Sequence, residues 1–348
     1  MKKVLALLLS GAMMVSLLAG CGSKETGSAG STGGSQAGSS GQEELPSYSF
    51  QLGYNTVEDS VRGEMATVFK NYVEETSNGR MTVEIFPFST LGSEQEMVEM
   101  VKTGSLDFTL PGVSALSNID PNFGAYNLPF VVNNWDDAHA MLDGDFGNTL
   151  KDIAMDNGYK ILGWGDLGTV QITNNGHPIN SLADMKGLNM RSTNEEVSLR
   201  TFEALGCSVT TLAFSELYLG LSQGVVDGQF NPIDAIYQNS FTEVQDYLAM
   251  VNMYFYGITL LMSNDKFNAM DAESQQILLD GAAKAQEAGR AYCANAEEEY
   301  LQKVIDEECF KEITYPDTTE FKEAVSGVYD SYLANCDPRI VEAVNALR

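Results

Sequence analysis

Two glycine-rich stretches in this 348-residue chain have the outline of catalytic loops: GWGDLG at 163–168 matches GxGxxG, and GLSQG at 220–224 matches GxSxG. Each pattern does chemistry only in a particular setting. A dinucleotide loop must open a helix, because the N–H groups of the helix N-terminus hold the pyrophosphate. Here the loop opens TVQIT at 169–173, which is strand-like. A nucleophile elbow needs a sharp strand-to-helix turn, whereas Ser222 falls at the end of a helical segment begun at Phe214. The only histidines, His139 and His177, have no spacing that places either beside that serine. HExxH, CxxC and the Walker loop do not occur, and Asp143-Gly144-Asp145 lacks the remaining ligands of an EF-hand. The reading is a protein without a catalytic residue, a bound metal or a cofactor.

Charge narrows the partners. The chain carries 48 acidic and 20 basic residues, a formal −28. Such a surface repels nucleic-acid backbones and anionic headgroups, so nucleic acid is excluded as a partner. Capture of an anion would then demand a specific local cation.

The first twenty residues read as an export signal, with Lys2 and Lys3 preceding an apolar run from Val4 to Ala19. That run is shorter than the ~20 apolar residues of a spanning helix. It ends in LAGC at 18–21, which resembles the bacterial lipobox and makes Cys21 the expected lipidated residue. Residues 21–44 form a Gly/Ser-rich linker whose statistical reach is about 25 Å. The expected location is the outer face of the cell membrane. Of the later cysteines, Cys207 reads as a small core residue, while pairing among Cys293, Cys309 and Cys336 stays open.

The elements that must position any site begin near Leu45. Alternation at Ser49–Tyr54 and Met81–Phe86 predicts strands. The spacing of Val61, Met65, Val68, Phe69, Tyr72 and Val73 predicts a helix stopped at Asn78-Gly79. Helix Glu94–Lys102, strand Asp107–Leu110, a helix over 146–157, and separate strands Tyr159–Trp164 and Val170–Thr173 follow. Then come strand Gly187–Arg191, helices Glu195–Leu205 and Phe214–Gln223, and a strand from Gly228. Alternating strands and helices argue an open α/β sheet of parallel units. Tyr247–Tyr254 and Ile258–Ser263 read as long strands running between lobes. A helix from Asp271 to about Asp306 would span roughly 50 Å, more than one small domain. The expected fold is α/β and two-lobed, with a ligand cleft between the lobes. Lobe I is 45–167 plus 257–296, and lobe II is 168–256 plus 297–348.

One region ties these elements to a function. INSLADMKGLNMR at 179–191 is followed by ALG at 204–206, FSELY at 214–218 and GVVDGQFNP at 224–232. Together with GRMTV at 79–83, GSLDF at 104–108 and LPF at 128–130, this order resembles the substrate-binding proteins of the tripartite ATP-independent periplasmic (TRAP) transporters. The resemblance covers nearly all of 45–348. It implies a periplasmic-binding-protein-like, type II-like fold, and it makes Arg191 the partner of the solute carboxylate. A planar guanidinium suits that task, since it offers two parallel donors. The resemblance places Asn231 on the same carboxylate and Asn55 as a contact from the first lobe. Phe230 is either a pocket aromatic or a packing residue. Many relatives carry a second arginine where this chain has Val170, which implies a site for one carboxylate.

The function this implies is a monomeric extracytoplasmic receptor. It would bind a small organic acid, a monocarboxylate or sugar acid, and deliver it to TRAP permease subunits. The alternatives are a receptor for an ABC importer or a sensor, and a surface hydrolase.

Overall fold

The computed structural model describes residues 45–132 and 134–348. The export signal, Cys21 and the linker lie outside the described residues. Ten strands carry the architecture: β1 Tyr48–Gly53, β2 Met81–Phe86, β3 Phe108–Thr109, β4 Tyr159–Asn174, β5 Asn189–Ser192, β6 Ser208–Thr211, β7 Gly228–Pro232, β8 Tyr247–Ala249, β9 Phe255–Ser263 and β10 Glu312–Thr314. They run in the order β2-β1-β3-β9-β4-β7-β5-β6, with β8 beside β4 and β10 beside β8. β1, β2 and β3 are parallel, as are β7, β5 and β6. β9 and β4 are antiparallel to each other, and β4 is antiparallel to β7. The expectation of parallel units therefore holds at the two flanks and fails in the middle.

The middle is where the sequence reading needed most correction. β4 is one strand of 16 residues rather than two. Its first part pairs with β9 up to Thr169, and its last part pairs with β7 and β8. The glycines that suggested a loop serve packing instead. A Cβ on Gly163 would lie 3.2 Å from the Ala282 carbonyl, and one on Gly165 would lie 2.5 Å from Met65 Sδ. Gly168, at φ +94°, takes up the register shift after Asp166. The second correction concerns Tyr247–Tyr254, of which only Tyr247–Ala249 is strand. Asn252 adopts φ +47° there, and its side-chain oxygen accepts a hydrogen bond from Gln171 at 2.6 Å.

Two of the apolar clusters share the long helix Ala272–Asp306, capped by Asp271 accepting from Ser274 N–H at 2.9 Å. Leu278 and Ala282 join Phe50, Leu52, Phe69, Phe108 and Leu260 in one cluster. Near its other end, Tyr300 and Val304 join Leu217, Leu221, Ile236 and Leu248 in another. A third cluster unites Phe123, Phe146 and Trp164 with Met190, Phe202 and Phe230. Three C-terminal helices that the sequence reading passed over, Thr319–Ala324, Ser326–Leu333 and Pro338–Leu347, close the structure. Tyr329 and Tyr332 hold them by donating to the Pro129 and Pro121 carbonyls at 2.6 and 2.7 Å.

Among the described residues no helix is long and apolar enough to cross a membrane. The four cysteines after Cys21 are free, with Cys207 and Cys293 buried.

The packing role of the crossing strand is testable. Gly165→Val should cost about 1–3 kcal/mol by overpacking against Met65 and Ile258. Urea denaturation monitored by circular dichroism reads this directly, and an unchanged midpoint would contradict it.

Candidate ligand-binding site

The end of β5 carries Arg191. Its register partner on β6 is Thr210, and its Nε donates to the Leu212 carbonyl at 3.0 Å. That bond fixes the plane of a guanidinium only 2 % exposed, whose Nη2 finds no partner in the protein. Burial pulls the pKa of this arginine down, and the nearby Tyr256, Glu195 and Glu94 oppose the shift. Asn231 stands on β7. Its side-chain amide donates to Gln229, whose own amide donates to Thr173 at 2.9 Å. One N–H of Asn231 is thereby oriented, and the other is available. Asn55 follows the C-terminal end of β1, with its Oδ1 buried and without a protein partner.

These three residues line a single cavity of about 70 Å³. At ~10–15 Å³ for each water, that is room for about five water-sized groups. Two other predicted residues lie elsewhere. Phe230 precedes Asn231 on the same strand, and neighbouring strand residues point to opposite faces. Its ring packs 4.7 Å from Phe202 and 5.9 Å from Tyr254, so of the two readings left open it takes the packing one. Val170 is fully buried opposite Pro232. The residue facing Asn231 across the sheet is Gln171, which donates to Asn252.

The cavity also holds residues that the sequence reading missed: Arg62, Glu94, Glu195, Asp234 and Tyr256. Arg62 lies in the first turn of helix Val61–Thr76, capped by Ser60. Its Nε donates to the Leu110 carbonyl at 2.8 Å and its Nη2 to Glu94 at 3.1 Å. Glu94 Oε1 also accepts from Gly112 N–H at 3.1 Å. This second guanidinium is thus committed to a protein carboxylate. The partners are 32 residues apart, too far for helical or strand spacing to pair them. Glu195 caps helix Glu196–Ala204, and Asp234 sits in the first turn of helix Ile233–Gln238. Burial pushes the Glu195 pKa up to about 7; the Ser114 hydroxyl opposes the shift, the charge of Glu94 adds to it, and the Thr193 hydroxyl and the charge of Arg191 oppose it further. Burial likewise pushes Asp234 up to about 6.

A broader, open groove of about 970 Å³ lies apart, between Asn175 and the end of the long helix. Its Lys311 and Asp246 are both exposed to some degree and pair at 2.8 Å, so it offers no desolvated anchor. GxSxG also has no role here: Ser222 is exposed at the end of helix Phe214–Ser222. Among the described residues no cluster of His, Cys, Asp and Glu could hold a metal.

Similarity to known proteins shows the family and the fold. The model of the bacterial extracellular solute-binding proteins, family 7, matches residues 52–335. The chain belongs to that family. It is similar to the 2,3-diketo-L-gulonate-binding periplasmic protein YiaO of Escherichia coli. The two are 30% identical over 262 residues, covering 75% of this chain and 79% of that one. Among solved structures, the sugar acid binding protein of Advenella mimigardefordensis in complex with galactonate superposes with a TM-score of 0.84. It is 27% identical and covers 87% of this chain and 99% of its own. A TRAP periplasmic solute-binding protein of Sulfurospirillum deleyianum with bound succinate has a TM-score of 0.82 and 26% identity, covering 87% and 100%. This chain is a TRAP-type solute-binding protein with the two-lobed fold of these structures, a receptor and not an enzyme.

The raised Glu195 pKa has a stability consequence. Between pH 4.5 and about 7 the folded protein holds a proton that the unfolded chain has released. Stability therefore falls as pH rises through that window. Arg191, Glu94, Asp234, Tyr254 and Tyr256 surround this carboxyl and remain in a Glu195→Gln variant. The variant should gain up to about 3 kcal/mol on the wild type between pH 4.5 and 7.5, by denaturant titration. A difference that does not change with pH would refute a buried Glu195.

Proposed function

We propose that this chain is an extracytoplasmic, lipid-anchored receptor that closes over one small organic monocarboxylate and hands it to TRAP permease subunits. The observation that carries this reading is the Arg191 guanidinium, buried in the cavity with Nη2 free of protein partners beside Asn231 and Asn55. A guanidinium with a free N–H edge in a water-poor cavity is a carboxylate site.

Charge balance argues for one carboxylate rather than two. The cavity holds two arginines and three carboxyl groups. Arg62 is neutralised by Glu94, and burial holds Glu195, a carboxyl that acts on Arg191, at about 7, so that it is only partly ionised at neutral pH. That leaves Arg191 as the charge to be matched. A second ligand carboxylate would be buried against the acidic groups without a cation, which is costly. Val170 supplies no further cation, and neither do Thr169, Gln171 or Ile172. The galactonate bound by the Advenella protein supports a hydroxylated monocarboxylate as the solute class, while the succinate bound by the Sulfurospirillum protein is the dianion disfavoured here.

The lobes in this reading are 45–167 with 257–296 and 168–256 with 297–348, moving as rigid bodies on the strands that cross between them. The lipid on Cys21 and the 21–44 linker keep a monomeric receptor near its permease.

A thermal-shift panel of mono- and dicarboxylic acids should identify the ligand, because binding to the native state alone raises apparent stability. Calorimetry with that acid should then show Arg191→Ala losing about 2–5 kcal/mol of binding free energy. Arg191→Lys should recover only part of the loss, since it keeps the charge without the planar pair of donors. Unchanged affinity in Arg191→Ala would sink the assignment.

A further inference from the structure

Glu195 lies four residues beyond Arg191, at the point where the chain leaves β5 and enters helix Glu196–Ala204. Both side chains face the same cavity, and the charge of each acts on the other. Glu195 is 4 % exposed; the Ser114 and Thr193 hydroxyls stabilise its carboxylate, while its Oε2 has no hydrogen bond of normal geometry within the protein. Buried polar atoms are nearly always paired, and an unpaired one marks either a cost or a function. Here the free Oε2 and the free Arg191 Nη2 are an acceptor and a donor on the wall of one cavity.

Above the value of about 7 to which burial pushes it, Glu195 is ionised, and an ionised carboxylate can only accept hydrogen bonds. A ligand group that completes Glu195 must therefore donate, and on an organic acid that group is a hydroxyl. A methylene at the same place leaves the oxygen buried and unpaired, and a second carboxylate sets two negative charges together. Above about pH 6 the Asp234 carboxylate on the neighbouring wall adds to the bias against negative charge, whereas Glu94 is paired with Arg62.

We propose that Glu195 is the specificity-determining residue of the cavity, reading a hydroxyl close to the carboxylate held by Arg191, so that the receptor selects hydroxy acids over their deoxygenated and dianionic counterparts. The inference rests on Arg191 as the carboxylate anchor. Sites built to bond a hydroxyl reject the analogue lacking it more strongly than apolar pockets reject a size change, because the protein group is left unpaired.

Calorimetry at pH 8, above the value of about 7 to which burial pushes Glu195, tests this with two matched sets of acids. The first set is glycerate, propionate and malonate, and the second is gluconate, hexanoate and adipate. In the set that fits, the hydroxylated acid should bind wild-type protein at least about tenfold tighter than either companion. Glu195→Ala should shrink that ratio to about threefold or less, chiefly by weakening the hydroxy acid. Glu195→Gln, whose amide oxygen still accepts, should keep part of the hydroxyl preference and bind the dianion at least about threefold tighter. A wild-type ratio near one, or a ratio unchanged in Glu195→Ala, overturns the proposal. Should circular dichroism show Glu195→Ala unfolded, unchanged dianion affinity in Glu195→Gln overturns it equally. Failure of the anchor looks different: no acid of either set binds the wild type, or affinity survives in Arg191→Ala. Either result removes the carboxylate reading and this one with it.

Discussion

A guanidinium taken out of water has to be matched by something, and the cavity is organised around that requirement. Arg191 gives its Nε to a backbone carbonyl and keeps Nη2 unbonded within the protein. Removing a charge from water costs several kcal/mol unless a partner of opposite sign is well placed. The protein contains many carboxylates that could have served. Arg62 shows what full internal pairing looks like, with Glu94 on its Nη2 and Leu110 on its Nε. Arg191 has Tyr256, Glu195, Glu94 and Glu216 acting on it through their charges, but none of them bonds its Nη2. In the proposed function an external carboxylate completes the set.

The strand crossing follows from the same need. A ligand can be enclosed only if donors arrive from opposite sides, and the fold delivers them from separate parallel flanks. Asn55, Arg62 and Glu94 come from the β1 side, and Arg191, Glu195 and Asn231 come from the β5–β7 side. β4 and β9 join these flanks as a continuous antiparallel pair, and the long helix lies along them. Close approach of that helix depends on glycine. At Gly289 a Cβ would come within 2.7 Å of Met65, the residue that also presses on Gly165.

What the sequence made legible was whatever local pattern dictates. Helices with a clear cap and period, such as Glu94–Thr103 with its Ser93–Glu96 capping box, were read to within a residue or two. Arg191, Asn231 and Asn55 are singled out by the motifs that carry them, and all three line one cavity. Phe230 could have been settled by strand alternation alone, because its neighbour Asn231 needed the opposite face. The single strand β4 was not legible, because glycines at 163, 165 and 168 look like loop residues until Met65 and Ala282 are seen against them. Nor were Arg62–Glu94 and Glu195. Their roles come from burial, and in a chain with 48 acidic residues no spacing rule separates a cavity carboxyl from a solvated one.

Modest hydrogen bonds join the helices around the cavity. Gln238, on helix Ile233–Gln238, donates to the Asp59 carbonyl just before helix Val61–Thr76. Tyr292, from the long helix, donates to the same carbonyl at 3.0 Å. Gln238 also bonds the Tyr300 hydroxyl at 2.7 Å. Neutral hydrogen bonds of this kind contribute about 0.5–1.5 kcal/mol each. A charge-assisted pair with a buried arginine is stronger. A ligand shifts a two-state equilibrium only by its difference in affinity for the two states. Weak protein–protein bonds around the cavity and a strong, unfilled donor inside put most of that difference in the ligand's carboxylate. In the proposed receptor, closure would therefore report occupancy of Arg191.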